Sequence, residues 1–188
     1  MLDYRDILDT LQSKGYLATY YDRAFDDKFP SYFFSPNSIH GVLHAKRVLL
    51  LSLALSYLNG LNKADTGLLA KASLYHDIGR THDGVCSEHG RKSFQKAIGL
   101  GLIDNEVNEN NEVLRYVMVN HCLDDNLAET LDEYFIDDRE RAVRLLKLFK
   151  DSDGLDRVRI NDLDVEYLRY PVSRELVSFA EYLLREIR

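Results

Sequence analysis

Apolar residues recur at three- and four-residue spacing along almost the whole chain, and no stretch between turn signals alternates with period two. This pattern predicts an all-α fold. Tyr4, Ile7, Leu8 and Leu11 mark a first helix that Gly15 can end. Residues 16–29 are rich in aromatics and less regular, and 29–37, with Pro30 and Pro36, read as a loop. A long helix is expected over 38–58, with Ser38 as its cap and Asn59-Gly60 as its stop. Further helices are expected over 64–76, over 88–98 and over 104–121, the last with acids at its start, where they complement the helix dipole. A short helix is expected over 124–134. An amphipathic helix over 138–152 has Ala142, Val143, Leu145, Leu146, Leu148 and Phe149 on its apolar face. Pro171 precedes a last helix over 173–187. No repeat or linker breaks the pattern, so a single domain over 1–188 is expected.

Composition narrows the class. The 188 residues are 45% hydrophobic and 29% charged, enough for a real core in a globular domain. The net charge is −7 and no stretch is dominated by Lys or Arg, which disfavours a nucleic-acid polymer as partner. The apolar run 48–58 is about half the length that crosses a bilayer. The first ten residues, MLDYRDILDT, carry acids where a signal peptide carries bases and an apolar stretch, so a cytoplasmic protein without a membrane partner is expected. Two cysteines, Cys86 and Cys122, form no CxxC; each neighbours a histidine, but a half-buried reduced thiol is the default for this residue type.

The candidate chemistry lies in the histidines and aspartates. All six histidines fall between residues 40 and 121. His40 and His44, four apart, are expected on one face of the long helix. His76-Asp77 closes a helix before Gly79, Asp151 and Asp153 close another before Gly154, and His121 closes a third. Imidazole nitrogens and carboxylate oxygens gathered from helix ends suit divalent Mn, Fe, Co, Ni or Zn. Each fragment alone is as readily a polar helix end or a solvated acid.

Together, the order His44, His76-Asp77, Asp153 resembles the HD superfamily of metal-dependent phosphohydrolases. HGVLHAKRV is similar to the first motif of that family, ASLYHDIGR to the second and FKDSDGLDRVR to the last, a likeness that spans 38–160. The resemblance implies an all-α fold and makes Asp153 the ligand, rather than Asp151 or Asp156. His89 in EHGRKSF and His121 in VMVNHC extend it to the subset that holds two metals. In that subset His44, His76 and Asp153 would serve one metal, His89 and His121 the other, and Asp77 would bridge. Metals of this kind lower the pKa of bound water towards about 7, supplying hydroxide for attack on a phosphate ester or anhydride. The chemistry further needs positive charge near the phosphoryl oxygens. Arg80 is the first candidate, followed by Lys46, Arg47, Arg91 and Lys92. Asp83 is a candidate to orient the attacking water, and His40 to contact substrate. His82 reads as an exposed loop residue. Arg169 and Arg174 read as surface salt-bridge formers, and Tyr20, Tyr21, Tyr32, Phe33 and Phe34 as packing aromatics.

Several branches of the family do not fit. The chain lacks a Gly-Tyr-Pro signature, lacks a Glu-Asp pair shortly after His-Asp, has no acid between Asp77 and Asp83, and is far shorter than the triphosphohydrolases. The expected substrate is therefore a phosphorylated small metabolite or nucleotide. Two other readings remain: a di-iron oxygenase with the same six-ligand order, and a metal-binding regulatory module without turnover. Fold likeness alone does not choose among them.

Overall fold

A computed structural model describes residues 4–126 and 128–188, and every regular element among them is helical. The chain begins with α1 (Tyr4–Ser13) and the short α2 (Tyr16–Tyr20). Five longer helices follow: α3 (Val42–Leu58), α4 (Lys63–Tyr75), α5 (His89–Gly99), α6 (Glu109–Asn120) and α7 (Arg139–Leu155). The chain closes with α8 (Pro171–Arg174) and α9 (Val177–Glu186). No helix among the described residues is long and apolar enough to cross a membrane.

The apolar run that is too short for a bilayer becomes the axis of the core. Val48, Leu49, Leu51, Leu53, Ala54 and Leu55 of α3 are fully buried, because a helix that is hydrophobic all round needs neighbours on every side. α4 and α7 pack directly on α3, α6 packs on α4 and α7, and α5 packs on α6. The few hydroxyls inside are satisfied: Ser56 Oγ donates to Ser52 O (2.7 Å), and Ser73 Oγ is 2.8 Å from both Leu69 O and Ser52 Oγ, tying α4 to α3. On the far side of α3, Tyr4 of α1 stacks on Tyr182 of α9 with ring centroids 4.1 Å apart. Tyr20 and Phe33 are buried in packing, whereas Phe34 is exposed.

Capping explains where the expected helices were drawn too long. Asn108, not a residue near 104, caps α6: its side chain accepts from Asn111 N–H, and residues 104–108 are non-helical. Asp138 caps α7 by accepting from Arg141 N–H, at the expected position. Ser38 does not cap α3. It lies in a turn whose hydroxyl accepts from His40 N–H, and α3 starts at Val42. The chain turns at Gly41 because a Cβ there would lie 2.1 Å from Pro36 O, a closeness only glycine tolerates. Between 124 and 134 only a 3-10 turn, Leu131–Glu133, forms; Leu127 lies outside the described residues. The last expected helix is two, α8 and α9, separated at 175–176.

Candidate metal centre

Five helix ends meet at one place. His44 lies in the first turn of α3, His76 ends α4 with Asp77 next to it, His89 opens α5, His121 ends α6, and Asp153 lies in the last turn of α7. Asp77 is at the centre. Its Oδ2 is 3.5 Å from both His44 Nε2 and His76 Nε2, and its Oδ1 is 3.1 Å from His89 Nε2. Asp153 Oδ1 is 3.2 Å from His44 Nε2 and 3.8 Å from His76 Nε2. The imidazoles face each other in pairs, with Nε2–Nε2 distances of 3.1 Å for His44–His76 and 2.9 Å for His89–His121. Phe149 of α7 packs edge-on against His76 and His121 and floors the site. The second pair depends on Gly90. A Cβ there would lie 2.2 Å from Met118 O and 3.2 Å from His121 Nδ1, so the start of α5 reaches the end of α6 only without a side chain.

The protonation pattern follows from the partners. His76, His89 and His121 turn Nδ1 to the carbonyls of Ser73 (3.0 Å), Cys86 (2.6 Å) and Met118 (2.6 Å). A carbonyl only accepts, so Nδ1–H donates in each, and Nε2 is left to the site. His44 Nδ1 is fixed in the same way by Asp156 Oδ2 at 2.7 Å. Burial pushes the pKa of His76 down to about 4 and that of His121 down to about 3, so both are neutral at pH 7. Burial and Arg159 oppose a charge on His44, but Asp153 and Asp156 outweigh them and raise its pKa. Burial likewise opposes a charge on His89, yet Asp77 and Cys122 hold its pKa up at about 10. In the second pair the protonated His89 can therefore donate to the neutral His121. Burial alone would raise the carboxyl of Asp77; His76, His40, His89 and His44 outweigh it and pull the pKa well below the usual range. Asp153 is lowered in the same way, chiefly by His44 against the burial penalty.

Four buried imidazole nitrogens and two ionised carboxylates thus converge on one space. His44, His76 and Asp153 form one set of ligand atoms mutually within 4.8 Å; His76, Asp77 and His121 form a second, and His89, His121 and Cys122 a third. Donor types, oriented rings and ionised acids fit divalent transition metals.

The other expected site residues divide. His40 precedes α3 rather than sharing its face with His44. It still reaches the site, with Nδ1 2.9 Å from Asp77 Oδ2. Arg80 donates from Nε to Asp77 Oδ1 (2.7 Å) and from Nη1 to Gly84 O (3.1 Å). Asp83 lies on the exposed rim. Lys46 is not brought to the site; its ammonium sits 3.8 Å over the Phe25 ring, because it points to another side of α3 from His44. Arg91 is engaged in an ion pair with Glu129, and Lys92 is exposed; neither lines the cleft. Arg47 is buried and turned away from the cleft: Nε donates to Asp156 Oδ1 (2.6 Å), Nη2 to Asp156 Oδ2 (3.2 Å) and Nη1 to Ile187 O (3.0 Å). Asp151 serves the fold, accepting from the backbone N–H groups of Arg169 and Tyr170 and from Ser173 Oγ. His82 is exposed and accepts from Gly84 N–H.

Sequence reasoning missed Asp156 as the partner of His44 and Arg157 and Arg159 on the cleft wall, and it ranked metal ligation by Cys122 behind an ordinary reduced thiol although the structure groups that sulfur with His89 and His121. Asp156 had a signal, since it falls three residues after Asp153 at the end of the same helix. The cleft above the centre measures about 390 Å³ and is open at its mouth. Three arginines (Arg80, Arg157, Arg159) and four aspartates (Asp77, Asp83, Asp124, Asp153) line it. Searches of family models, curated proteins and solved structures found no match to this chain.

Proposed function

We propose that the protein is a metal-dependent phosphohydrolase of the HD type, acting on a phosphate ester or anhydride of a small metabolite or nucleotide. The observation that carries this reading is the two-sided placement of Asp77. One carboxylate oxygen faces the His44–His76 pair and the other faces His89, which is paired with His121. His44, His76, Asp77 and Asp153 would hold one divalent ion; Asp77, His89 and His121 would hold a second. Such ions supply Lewis acidity, which lowers the pKa of water and neutralises charge on a phosphoryl group. Two of them would also add positive charge to the cleft, which suits an anionic substrate.

The chain's own residues supply the rest. Arg80, on the wall beside Asp77, is placed to donate to phosphoryl oxygens as charge builds there. His40 hydrogen-bonds the same carboxylate and lines the cleft, so it positions Asp77 and can donate to a bound ester. Asp83 on the rim is open to solvent and is placed to accept a proton from incoming water. The test is metal analysis of the protein purified without oxygen, coupled to a screen of phosphorylated metabolites with Asp77→Ala as the control. Two metals per chain, and phosphate release that Asp77→Ala abolishes, are expected. Retention of metal and activity by Asp77→Ala refutes the reading. So does a mixed-valent pair of irons in a protein that releases no phosphate.

A further inference from the structure

The third cluster of ligand atoms contains a sulfur. Cys122 follows His121 in the turn that closes α6, and its Sγ shares a sphere of 4.8 Å with one ring nitrogen each of His89 and His121. The thiol is half-buried on the wall of the cleft. It is also positioned: Sγ is 3.2 Å from Ser87 O and 3.6 Å from Val119 O, which holds the sulfur between the loop before α5 and the end of α6. The two histidines beside it are buried, their Nδ1 protons are spent on the carbonyls of Cys86 and Met118, and their Nε2 atoms face each other at 2.9 Å. That arrangement, now held by a proton, offers two imidazole nitrogens to a cation independently of the cysteine. Cys86 also lines the cleft, but it is not in the cluster.

We propose that Cys122 is a protein ligand of the second metal position, completing a donor set of two imidazoles, the Asp77 carboxylate and one thiolate. The inference rests on the two-metal reading above. On binding, the metal–sulfur bond forms as the S–H bond breaks, and the proton leaves to solvent. No oxidation occurs. The two positions then differ in chemistry. The first has only nitrogen and oxygen donors, whereas the second has a soft donor and prefers Zn, Fe or Co over Mn or Mg. The chain would thus favour a thiophilic ion next to Asp77 on the His89 side.

The test is anaerobic titration of the metal-free protein with Co²⁺ alone, recording the near-ultraviolet sulfur-to-cobalt charge-transfer band together with the bound stoichiometry. The parent protein, Cys122→Ser and Cys86→Ser are compared, and far-ultraviolet circular dichroism verifies folding. The expected result is a charge-transfer band in the parent and in Cys86→Ser that is absent in Cys122→Ser. The affinity for the second equivalent should also fall by about tenfold or more in Cys122→Ser. Two equivalents bound by the parent with no such band overturn the proposal while leaving two metals in place, as does a band that persists in Cys122→Ser. A parent that binds at most one Co²⁺ overturns the two-metal reading and this inference with it.

Discussion

Replacing Asp156 with alanine separates the stability of the fold from the competence of the site. The carboxylate is wholly buried and has two tasks. One oxygen takes the Nδ1–H of His44 at 2.7 Å; both oxygens take the guanidinium of Arg47, at 2.6 and 3.2 Å. Arg47 is itself buried and also donates to Ile187 O, and a second cation, Arg159, lies 3.5 Å from Asp156. Removing one partner of a buried pair leaves the other charge without compensation, which costs about 3–5 kcal/mol. For a chain of this length that corresponds to a fall in melting temperature of roughly 6–20 °C. The freed His44 ring also loses the group that aims its Nε2. Loss of such an orienting partner lowers metal affinity by about 10–100-fold, or roughly 1.4–2.7 kcal/mol. The two effects separate in the double variant Arg47→Met with Asp156→Ala, where the guanidinium that pairs most closely with Asp156 is no longer stranded. That variant should recover most of the stability and none of the metal affinity. Thermal denaturation of the metal-free proteins reads the first effect, and metal titration under the same conditions reads the second. A single variant that melts with the parent refutes the ion-pair argument. A double variant that binds metal like the parent refutes the orienting role of Asp156.

Two further outcomes follow from the same geometry. Gly90→Ala puts a Cβ 2.2 Å from Met118 O, so α5 must move off α6 and carry His89 away from His121; overpacking of this kind costs about 1–3 kcal/mol. Denaturant titration should show that loss, and metal analysis should show one ion retained and the other lost; binding of both with parental affinity would contradict the close-approach argument. The second outcome concerns pH. Because the pKa of His89 is held up at about 10, its proton must leave when a cation enters, so affinity at that position should rise at least about tenfold per pH unit between pH 6 and 8, and more steeply where the Cys122 thiol releases its own proton as well. Isothermal titration in buffers of different ionisation enthalpy should register proton release at pH 7; an affinity that is flat between pH 6 and 8 would rule out the proton as the occupant the metal replaces.

The helical character of the chain was legible because period and burial agree. Leu145, Leu146, Leu148 and Phe149 were placed on one face by spacing alone, and all four are buried. Boundaries were legible where the cap is local, as at Asp138. They were not legible where contacts made by the segment before the helix decide them. Asp104 and Asn108 are both capable caps, and Asn108 wins because Asn111, one turn into the helix it starts, also binds the carbonyls of Asp104 and Glu106 through its side chain and holds the preceding segment non-helical. Ser38 fails as a cap because the chain packs Gly41 against Pro36 O, a contact no propensity encodes.

The site divides along the same line. Each of His44, His76, Asp77, His89, His121 and Asp153 sits within a turn of a helix end, and the packing of the helices on α3 fixes the direction of each end. The resemblance picked them out by their order along the chain, and the structure brings their side chains together. Their supporting residues obey a different rule. Lys46 and Arg47 are adjacent cations on α3, and nothing in their types separates them. Position does: Arg47 is three residues from His44 and shares its face, so both meet Asp156, whereas Lys46 is turned about 100° away and rests on Phe25. Read through the helix period, Arg47 could have been taken off the list of substrate contacts, since the face that carries His44 inward carries Arg47 inward too. Arg157 and Arg159 offered no such handle, because they lie in a 3-10 turn past the end of α7 where the period of the helix no longer applies. The candidate ligands, set at the ends of regular helices, can be picked out from the order of motifs along the chain, and the cleft wall, built from irregular segments, cannot.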